Sequence, residues 1–374
     1  MLKLLPKFQQ KYLPISYNFK FSFHFDKQSF YALNWRVFFV SLILGFLLAF
    51  VQNIIAGLPN ISPLSFTSTT DNFYKLLPKL ENIPNNFSLT TKQSFIPQTF
   101  ASGSFDQATA YTVVDLDSGK VIAEKDLTGR HKIASITKIM TAIVALDLAS
   151  PEEYFTATRR AAREQPTKIG LVVGQKMKLE ELLNAVLLTS ANDAAAMIKD
   201  GIDAKYGSSV FIRAMNAKAS FLDLKNTSFD NPQGYDGDLN YSSVGDLAIL
   251  TNYALTNYPL IRDIVEKDYQ FLAQDSYHKQ YDLYNWNGLL DVYPQVKGVK
   301  IGNTDKAGKT TVVVSEREGK KLVAILLGAP GVLERDLWTA DLLDYGYHEE
   351  YGLEEINITE SDLKHKYSTW QYFH

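Results

Sequence analysis

Ser135 and Lys138 could act together as a nucleophile and its base. They stand three positions apart at the start of the apolar stretch ITKIMTAIVALDLA, and side chains three apart share one face of a helix. The Lys138 amine can therefore reach the Ser135 hydroxyl, a weak nucleophile that needs an adjacent base. A lysine serves as that base only when burial or a neighbouring cation lowers its pKa.

The spacing S-x-x-K alone does not identify a site. Ser276 with Lys279 and Ser361 with Lys364 have the same spacing. A serine that caps a helix ahead of a solvated lysine explains any one match equally well. Ser135 differs because a long apolar helix follows it and because two further polar groups come later in the chain.

Ser190 and Asn192 form the second polar group, directly after the predicted helix ELLNAVLLT. In an extended loop, residues two apart point the same way, so this hydroxyl and this amide can face one cleft. The alternative is that Ser190 or Asp193 only caps the next helix.

Lys300, Ile301 and Gly302 form the third group, on a predicted strand. Lys300 supplies a second cation, and Gly302 lets a substrate backbone approach the edge of the strand. The alternative is an ordinary surface strand that ends in a turn glycine.

The overall composition excludes several classes of protein. The 374 residues carry a formal net charge of −3 without a basic face, so we expect no nucleic-acid partner. The absence of cysteine excludes thiol chemistry and cysteine-ligated metals. The six histidines are scattered without ligand spacing, so we predict no metal and no other cofactor.

Strand patterns stand at both ends of residues 106–352, and helical patterns stand between them. The runs ATAYTVVDLD and KVIAEKD predict an N-terminal hairpin, whereas KGVKIG, TTVVVSE and KLVAILLGA predict late strands. A closing helix is predicted over about Arg335 to Tyr347. This order predicts one α+β catalytic domain, in which an antiparallel sheet of distant strands receives an inserted helical block. Residues 353–374 form a tail without a predicted role.

A transmembrane helix is predicted ahead of this domain as an uncleaved anchor, with a cleaved signal peptide as the alternative. Residues 37–58 carry no charge over the length that an α-helix needs to cross a bilayer. Residues 59–105, rich in Pro, Ser, Thr and Asn, indicate a spacer. The leader, residues 1–36, is basic, which by the positive-inside rule places it in the cytoplasm. Its charged residues are Lys3, Lys7, Lys11, Lys20, Lys27 and Arg36 against the single acid Asp26.

The order S-x-x-K, S-x-N, K-x-G on these elements resembles the motifs of penicillin-binding proteins and serine β-lactamases. The chain is similar in particular to the D-alanyl-D-alanine carboxypeptidases, the low-molecular-mass penicillin-binding proteins, over about Ala110 to Gly346. Segments that carry the likeness include VVDLDSGKVIAEK, IASITKIMTAIVAL, LLTSANDAAAMI and FDNPQGYDGDLNYSSVGDLAIL. The resemblance implies the β-lactamase/transpeptidase-like fold and a bacterial cell-wall enzyme. The uncharged run of residues 37–58 and the positive-inside rule then predict a single-pass protein of the bacterial cell membrane whose catalytic domain is extracytoplasmic.

The resemblance also implies roles for the first two motifs. Ser135 would attack the penultimate D-alanine carbonyl of a peptidoglycan stem peptide ending in D-Ala-D-Ala, while Lys138 takes its proton. Ser190 and Asn192 would relay protons and hold the substrate amide. β-Lactams would acylate Ser135 as covalent inhibitors.

For the third motif, the resemblance implies substrate binding. Lys300 would attract the terminal carboxylate, and Gly302 would admit the substrate backbone. The backbone N–H groups of Ser135 and Asn303 would hold the oxyanion. Arg335 matches the position of a carboxylate-binding arginine in relatives, although a surface salt bridge at a helix start explains it equally well.

Ile301 departs from the family, which has threonine in this motif. Its missing hydroxyl would weaken carboxylate binding by roughly 1.5–3 kcal/mol. A catalytically weak or inactive scaffold that binds wall peptides therefore stays open, and a β-lactamase is another alternative. The sequence does not separate carboxypeptidase from endopeptidase or transpeptidase activity.

Overall fold

A computed structural model describes residues 73–91 and 104–370, which belong to the compact unit formed by residues 67–374. The predicted leader, residues 1–36, and the predicted transmembrane helix, residues 37–58, lie outside the described residues. Within the described part of the chain, no helix is both long and apolar enough to cross a bilayer.

Helices form the middle of the described residues, and the strands of the main sheet come before and after them. The strands are β1 (Ala110–Asp115), β2 (Val121–Lys125), β3 (Tyr154–Thr156), β4 (Lys176–Lys178), β5 (Tyr269–Leu272), β6 (Tyr281–Tyr284), β7 (Val296–Thr304), β8 (Gly308–Arg317) and β9 (Lys320–Ala329). The α-helices are α1 (Leu77–Leu80), α2 (Lys138–Leu148), α3 (Arg159–Ala162), α4 (Leu179–Leu187), α5 (Asn192–Tyr206), α6 (Val210–Phe221), α7 (Val244–Asn257), α8 (Pro259–Val265), α9 (Val332–Tyr351) and α10 (Glu360–Ser368).

A five-stranded antiparallel sheet in the order β2-β1-β9-β8-β7 forms the centre of the fold. The N-terminal hairpin joins the late strands where β1 pairs with β9. Strands β8 and β9 are joined by a tight turn in which Glu318 and Gly319 both have positive φ, the conformation that suits the twist of a hairpin. Strand β7 pairs with β8 along one edge and is the last strand on that side.

Both faces of the sheet are buried, because successive side chains of its central strands point to opposite sides. Val113 of β1 packs into one hydrophobic cluster and Val114 into the other, and Ala324 and Ile325 of β9 divide in the same way. The cluster around Val114 is filled by the helical block α2 to α8, whereas the cluster around Val113 is filled mainly by α9 and α10. The sheet therefore lies between two helical layers.

Helix α2 is the centre of the helical block. Every side chain from Lys138 to Ala145 is buried, and α4, α5, α6 and α7 pack around this helix. The absence of a polar stripe in its sequence agrees with burial on all sides. The residues just before Lys138 are consequently held at the end of a rigid element.

The predicted sheet of distant strands with an inserted helical block is confirmed, and the C-terminal part differs in two details. The closing helix begins at Val332 rather than at Arg335, and it ends at Tyr351 rather than at Tyr347. Gly352 follows with a left-handed φ of +65°, a common way for a helix to end. The predicted tail contains α10, whose Leu363 is completely buried beneath the sheet layer.

Part of the predicted spacer also packs onto the domain. Phe73, Leu76 and Leu80 are buried in the cluster of the helical block. Thr90 then forms a bridge with Lys120 beside β2. Apolar residues in an otherwise polar segment explain this packing, since each loses contact with water on docking.

Candidate active site

Ser135 lies in a single 3₁₀ turn, Ala134–Thr137, that leads directly into α2. The sequence predicted an α-helical start instead. The 3₁₀ turn brings the pair together more directly, because side chains three apart eclipse one another in this helix type. Lys138 Nζ lies 2.9 Å from Ser135 Oγ, so the predicted nucleophile and base are in hydrogen-bond contact.

The other S-x-x-K matches have exposed lysines. Ser276 and Lys279 lie in an exposed loop, and Ser361 and Lys364 lie on the solvent side of α10. Burial of the lysine therefore distinguishes the match at Ser135 from the other two.

The Lys138 amine is completely buried and surrounded by oxygen atoms. Besides Ser135 Oγ it contacts Asn192 Oδ1 at 2.8 Å and the Gln233 carbonyl oxygen at 2.6 Å. Burial lowers the pKa of Lys138 well below its ordinary value, and the charge of Lys300 lowers it further, against the opposing carboxylates of Asp193 and Glu164. The amine thus has the low pKa that a general base of this kind needs.

Ser190 and Asn192 reach the same place from the turn between α4 and α5. Ser190 has a left-handed backbone with φ of +60°, so the predicted extended loop is wrong, and Asn192 is the first residue of α5. Backbone strain of this kind is concentrated at functional sites. The predicted alternative of a helix cap does not hold, because Ala191 occupies the N-cap position of α5. The Asp193 carboxylate accepts the backbone N–H groups of Ile169, Gly170 and Leu171 as well as that of Ala194.

Lys300 projects from β7 and is almost completely buried. Its amine donates a hydrogen bond to the Ile301 carbonyl oxygen at 3.0 Å. Burial, followed by the nearby charge of Arg335, lowers the pKa of Lys300 to about 7. The predicted surface strand is therefore excluded at this position, and the second cation lies close enough to act on Lys138.

Gly302 allows β7 to lie directly against the turn that carries the serine. A Cβ at this position would be 2.9 Å from the Ser135 backbone nitrogen and 2.5 Å from Thr310 Oγ1. Asn303, the next residue, pairs with Lys309 of β8 and lines the same cavity as Ser135. The backbones of Ser135 and Asn303, predicted to form the oxyanion hole, are thus brought to one wall.

Arg335 lies in the first turn of α9 and is 2% exposed, so it is not the surface residue that one alternative predicted. Its Nε and Nη2 atoms donate to the two carboxylate oxygens of Asp336 at 2.7 and 2.8 Å. Arg335 nevertheless lines the cavity that contains Ser135. The position of Arg335 is consistent with carboxylate binding, and the buried Asp336 carboxylate fixes the plane of its guanidinium.

One cavity of about 280 Å³ collects the predicted residues. Ser135, Ser190, Gly302, Asn303 and Arg335 all line it, whereas Lys138 and Lys300 lie behind its wall. Its remaining lining residues are Pro166, Thr167, Trp286, Ile301, Lys309, Val332 and Trp370.

Several residues of the site escaped the sequence prediction. The Gln233 carbonyl holds Lys138, and Gly234, with φ of +92°, passes so close that a Cβ would be 2.0 Å from the Ala134 carbonyl oxygen. The segment FDNPQGYDGDLNY was noted only as part of the likeness. Trp286 and Trp370 line the cavity from segments to which no chemistry was assigned.

Residues 98–331 match the family of peptidases described as D-alanyl-D-alanine carboxypeptidases. The chain belongs to this family. It is accordingly a serine peptidase of the D-Ala-D-Ala carboxypeptidase type, and the motifs that the sequence singled out fall within the matched residues.

Curated members of the carboxypeptidase family support the assignment. The D-alanyl-D-alanine carboxypeptidase DacF of Bacillus subtilis is 29% identical over 287 residues, 73% of this chain and 73% of DacF. The D-alanyl-D-alanine carboxypeptidase DacB2 of Mycobacterium tuberculosis is 30% identical over 248 residues, 64% of this chain and 82% of DacB2.

A solved structure shows the same fold as this carboxypeptidase-family chain. The Streptomyces K15 DD-transpeptidase matches with a TM-score of 0.60 and 27% identity, over 64% of this chain and 97% of its own. The predicted transpeptidase-like fold with its antiparallel sheet is therefore confirmed for the described domain.

Proposed function

We propose that this chain removes the terminal D-alanine from peptidoglycan stem peptides ending in D-Ala-D-Ala, through an acyl-enzyme on Ser135. The observation that carries the proposal is the set of atoms around the Lys138 amine. Asn192 Oδ1 and the Gln233 carbonyl oxygen can only accept hydrogen bonds. A neutral amine has two N–H donors, which these two oxygens use, so its lone pair is left for the Ser135 hydroxyl.

The reaction follows from this arrangement. Ser135 Oγ forms a bond to the carbonyl carbon of the penultimate D-alanine and gives its proton to Lys138 Nζ. The backbone N–H groups of Ser135 and Asn303 hold the oxyanion of the tetrahedral intermediate. The C–N bond then breaks, and the amine of the terminal D-alanine leaves with a proton that Ser190 relays from Lys138. Water releases the acyl group by the same route, with Lys138 as base.

Positive charge at the far end of the cavity suits the free carboxylate of the leaving D-alanine. Lys300 and Arg335 supply this charge from opposite elements, β7 and α9. Ile301 lines the cavity without a hydroxyl, so Arg335 supplies a charge-assisted contact in place of the family's threonine. Asn192, whose Oδ1 accepts a hydrogen bond from Lys138, would contact the substrate amide once the peptide is bound.

The catalytic domain is held outside the bacterial cell membrane in this proposal. The uncharged length of residues 37–58 and the basic leader, residues 1–36, support a single span with a cytoplasmic N-terminus. A substrate in the cell wall and inhibition by β-lactams fit this location. Protease treatment of intact cells should then remove the domain and leave the leader protected.

The test uses the full chain in detergent with a pentapeptide ending in D-Ala-D-Ala. Wild-type protein should release D-alanine, and a fluorescent penicillin should label it. Ser135→Ala should abolish both signals, whereas the matched control Ser276→Ala, at an exposed S-x-x-K, should keep both.

Other outcomes identify the alternative functions. A wild-type chain that neither releases D-alanine nor binds penicillin covalently would be an inert scaffold, in contradiction to the proposal. Rapid nitrocefin turnover with no D-alanine release would indicate a β-lactamase instead.

A further inference from the structure

The C-terminal helix α10 is anchored next to the catalytic cavity. Leu363 is completely buried in the second hydrophobic cluster. Lys366 is 7% exposed, and its amine lies 2.6 Å from Asp268 Oδ1. Tyr367 donates its hydroxyl hydrogen to Asp336 Oδ2 at 2.7 Å. Apolar, ionic and hydrogen-bonding contacts therefore fix this helix to the domain.

The hydrogen bond of Tyr367 acts on the carboxylate that orients Arg335. Asp336 is completely buried, and its Oδ2 atom accepts from both Arg335 Nη2 and Tyr367. A Cβ at Gly288 would lie 2.1 Å from Asp336 Oδ2 and 2.8 Å from the Tyr367 ring. The loop that carries Trp286 thus closes on the same carboxylate, and Arg335 has little freedom to turn.

Trp370 places an aromatic ring at this end of the cavity. Its ring centroid lies 4.8 Å from that of Tyr367, with the planes 34° apart. Trp370 lines the cavity together with Ser135, Trp286 and Arg335. The side of the cavity that holds the arginine is therefore bounded by two indole rings, one of which comes from the chain after α10.

We propose that α10 holds Trp370 as the wall of the cleft beyond the leaving D-alanine, and that this wall selects peptides that end there with a free carboxylate. Tyr367 is a positioning residue that acts through Asp336 on Arg335. Trp370 is a specificity residue that blocks a chain continuing past the terminal residue. The inference rests on the proposed function and adds to it the distinction between carboxypeptidase and endopeptidase.

The physical argument has two parts. A guanidinium held in one plane keeps its geometry for a carboxylate without losing orientational freedom on binding. A peptide that continues beyond the terminal D-alanine offers a neutral amide in place of that carboxylate and needs the space that Trp370 occupies. Both effects disfavour the longer peptide.

The test compares two peptides on the full-length protein: one ending in D-Ala-D-Ala and the same peptide extended by one glycine. For Trp370→Ala, the ratio of kcat/KM between the free-acid and extended peptides should fall about tenfold, a usual size for discrimination by pocket shape. For Tyr367→Phe, KM for the free-acid peptide should rise about tenfold while kcat and the extended peptide are unaffected. His365→Ala, an exposed position on α10, is the matched control and should leave both peptides unchanged.

The inference would be overturned if a variant lost kcat/KM equally on both peptides, or if the ratio of kcat/KM between the two peptides stayed unchanged in both variants. Trp370→Phe, which keeps a ring in the wall, should restore most of the preference. Tyr367→Phe keeps the packing of the ring, so it tests the inference even where Trp370→Ala unfolds the chain. If the proposed function itself were wrong, the wild-type chain would release no D-alanine, which distinguishes that outcome from those above.

Discussion

Lys138 and Lys218 are both completely buried among the helices, but their partners differ in kind. Lys218 on α6 forms an ion pair with Asp147 on α2, with the amine 2.8 Å from Oδ2. The hydrogen-bond partners of Lys138 are a serine hydroxyl, an amide oxygen and a backbone carbonyl. The charge of Lys300, on a separate element, acts on Lys138 from further away.

The role of each buried lysine therefore depends on the chemistry of its partners. At Lys218 the partner is a carboxylate at ion-pair distance on another helix, so this pair links α6 to α2. The oxygen atoms that contact the Lys138 amine are uncharged, so no carboxylate in contact with it offsets burial and the repulsion from Lys300. The pKa of Lys138 therefore falls. Lysine is therefore a structural link between helices at position 218 and a base at position 138.

Replacement of the base should have the largest effect. We expect Lys138→Met to lower kcat for D-alanine release about 10²–10⁴-fold, since no group then takes the serine proton. The free energy of unfolding should fall by about 1–3 kcal/mol, because two buried acceptors lose their donor. Turnover above a tenth of wild type would contradict a base role for this lysine.

Replacement of Lys218, the structural lysine, should mainly lower stability rather than activity. We expect Lys218→Met to lower the free energy of unfolding by about 3–5 kcal/mol, because Asp147 is left as an unpaired buried charge. Activity per folded molecule should stay at the wild-type level. Urea titration and active-site labelling with penicillin measure the two quantities. Adding Asp147→Leu should recover much of the stability, and no recovery would contradict the role of the pair.

A change of pH should have the smallest effect on activity, and this effect should depend on Lys300 but not on Lys218. Below about pH 7 Lys300 is charged and attracts the substrate carboxylate, and above this pH the charge is lost. For the free-acid peptide we expect kcat/KM to fall about tenfold between about pH 6 and about pH 8.5. Lys300→Arg should remove this fall, because arginine stays charged. Lys218→Met should leave the profile unchanged, and a flat wild-type profile would contradict the role of Lys300.

Contacts within a motif could be predicted, whereas contacts between distant segments could not. The approach of Lys138 to Ser135 follows from a spacing of three, and the edge position of Gly302 follows from a strand pattern. The carbonyl of Gln233 was not predictable, because every residue type offers the same backbone oxygen. The partner of Arg335 was also missed, since Asp336 becomes a counter-ion only once both are buried in the first turn of α9.

The sequence alone determined the order of the motifs, the types of the reacting groups and the α+β order of elements, because these depend on local spacing and hydrophobic pattern. Which of the three S-x-x-K matches has a buried lysine follows only from the tertiary structure, which also places Tyr367 on Asp336 and Trp370 in the wall of the cavity. Burial and long-range contacts set the pKa values and the shape of the cleft, and both depend on neighbours that lie far away along the chain.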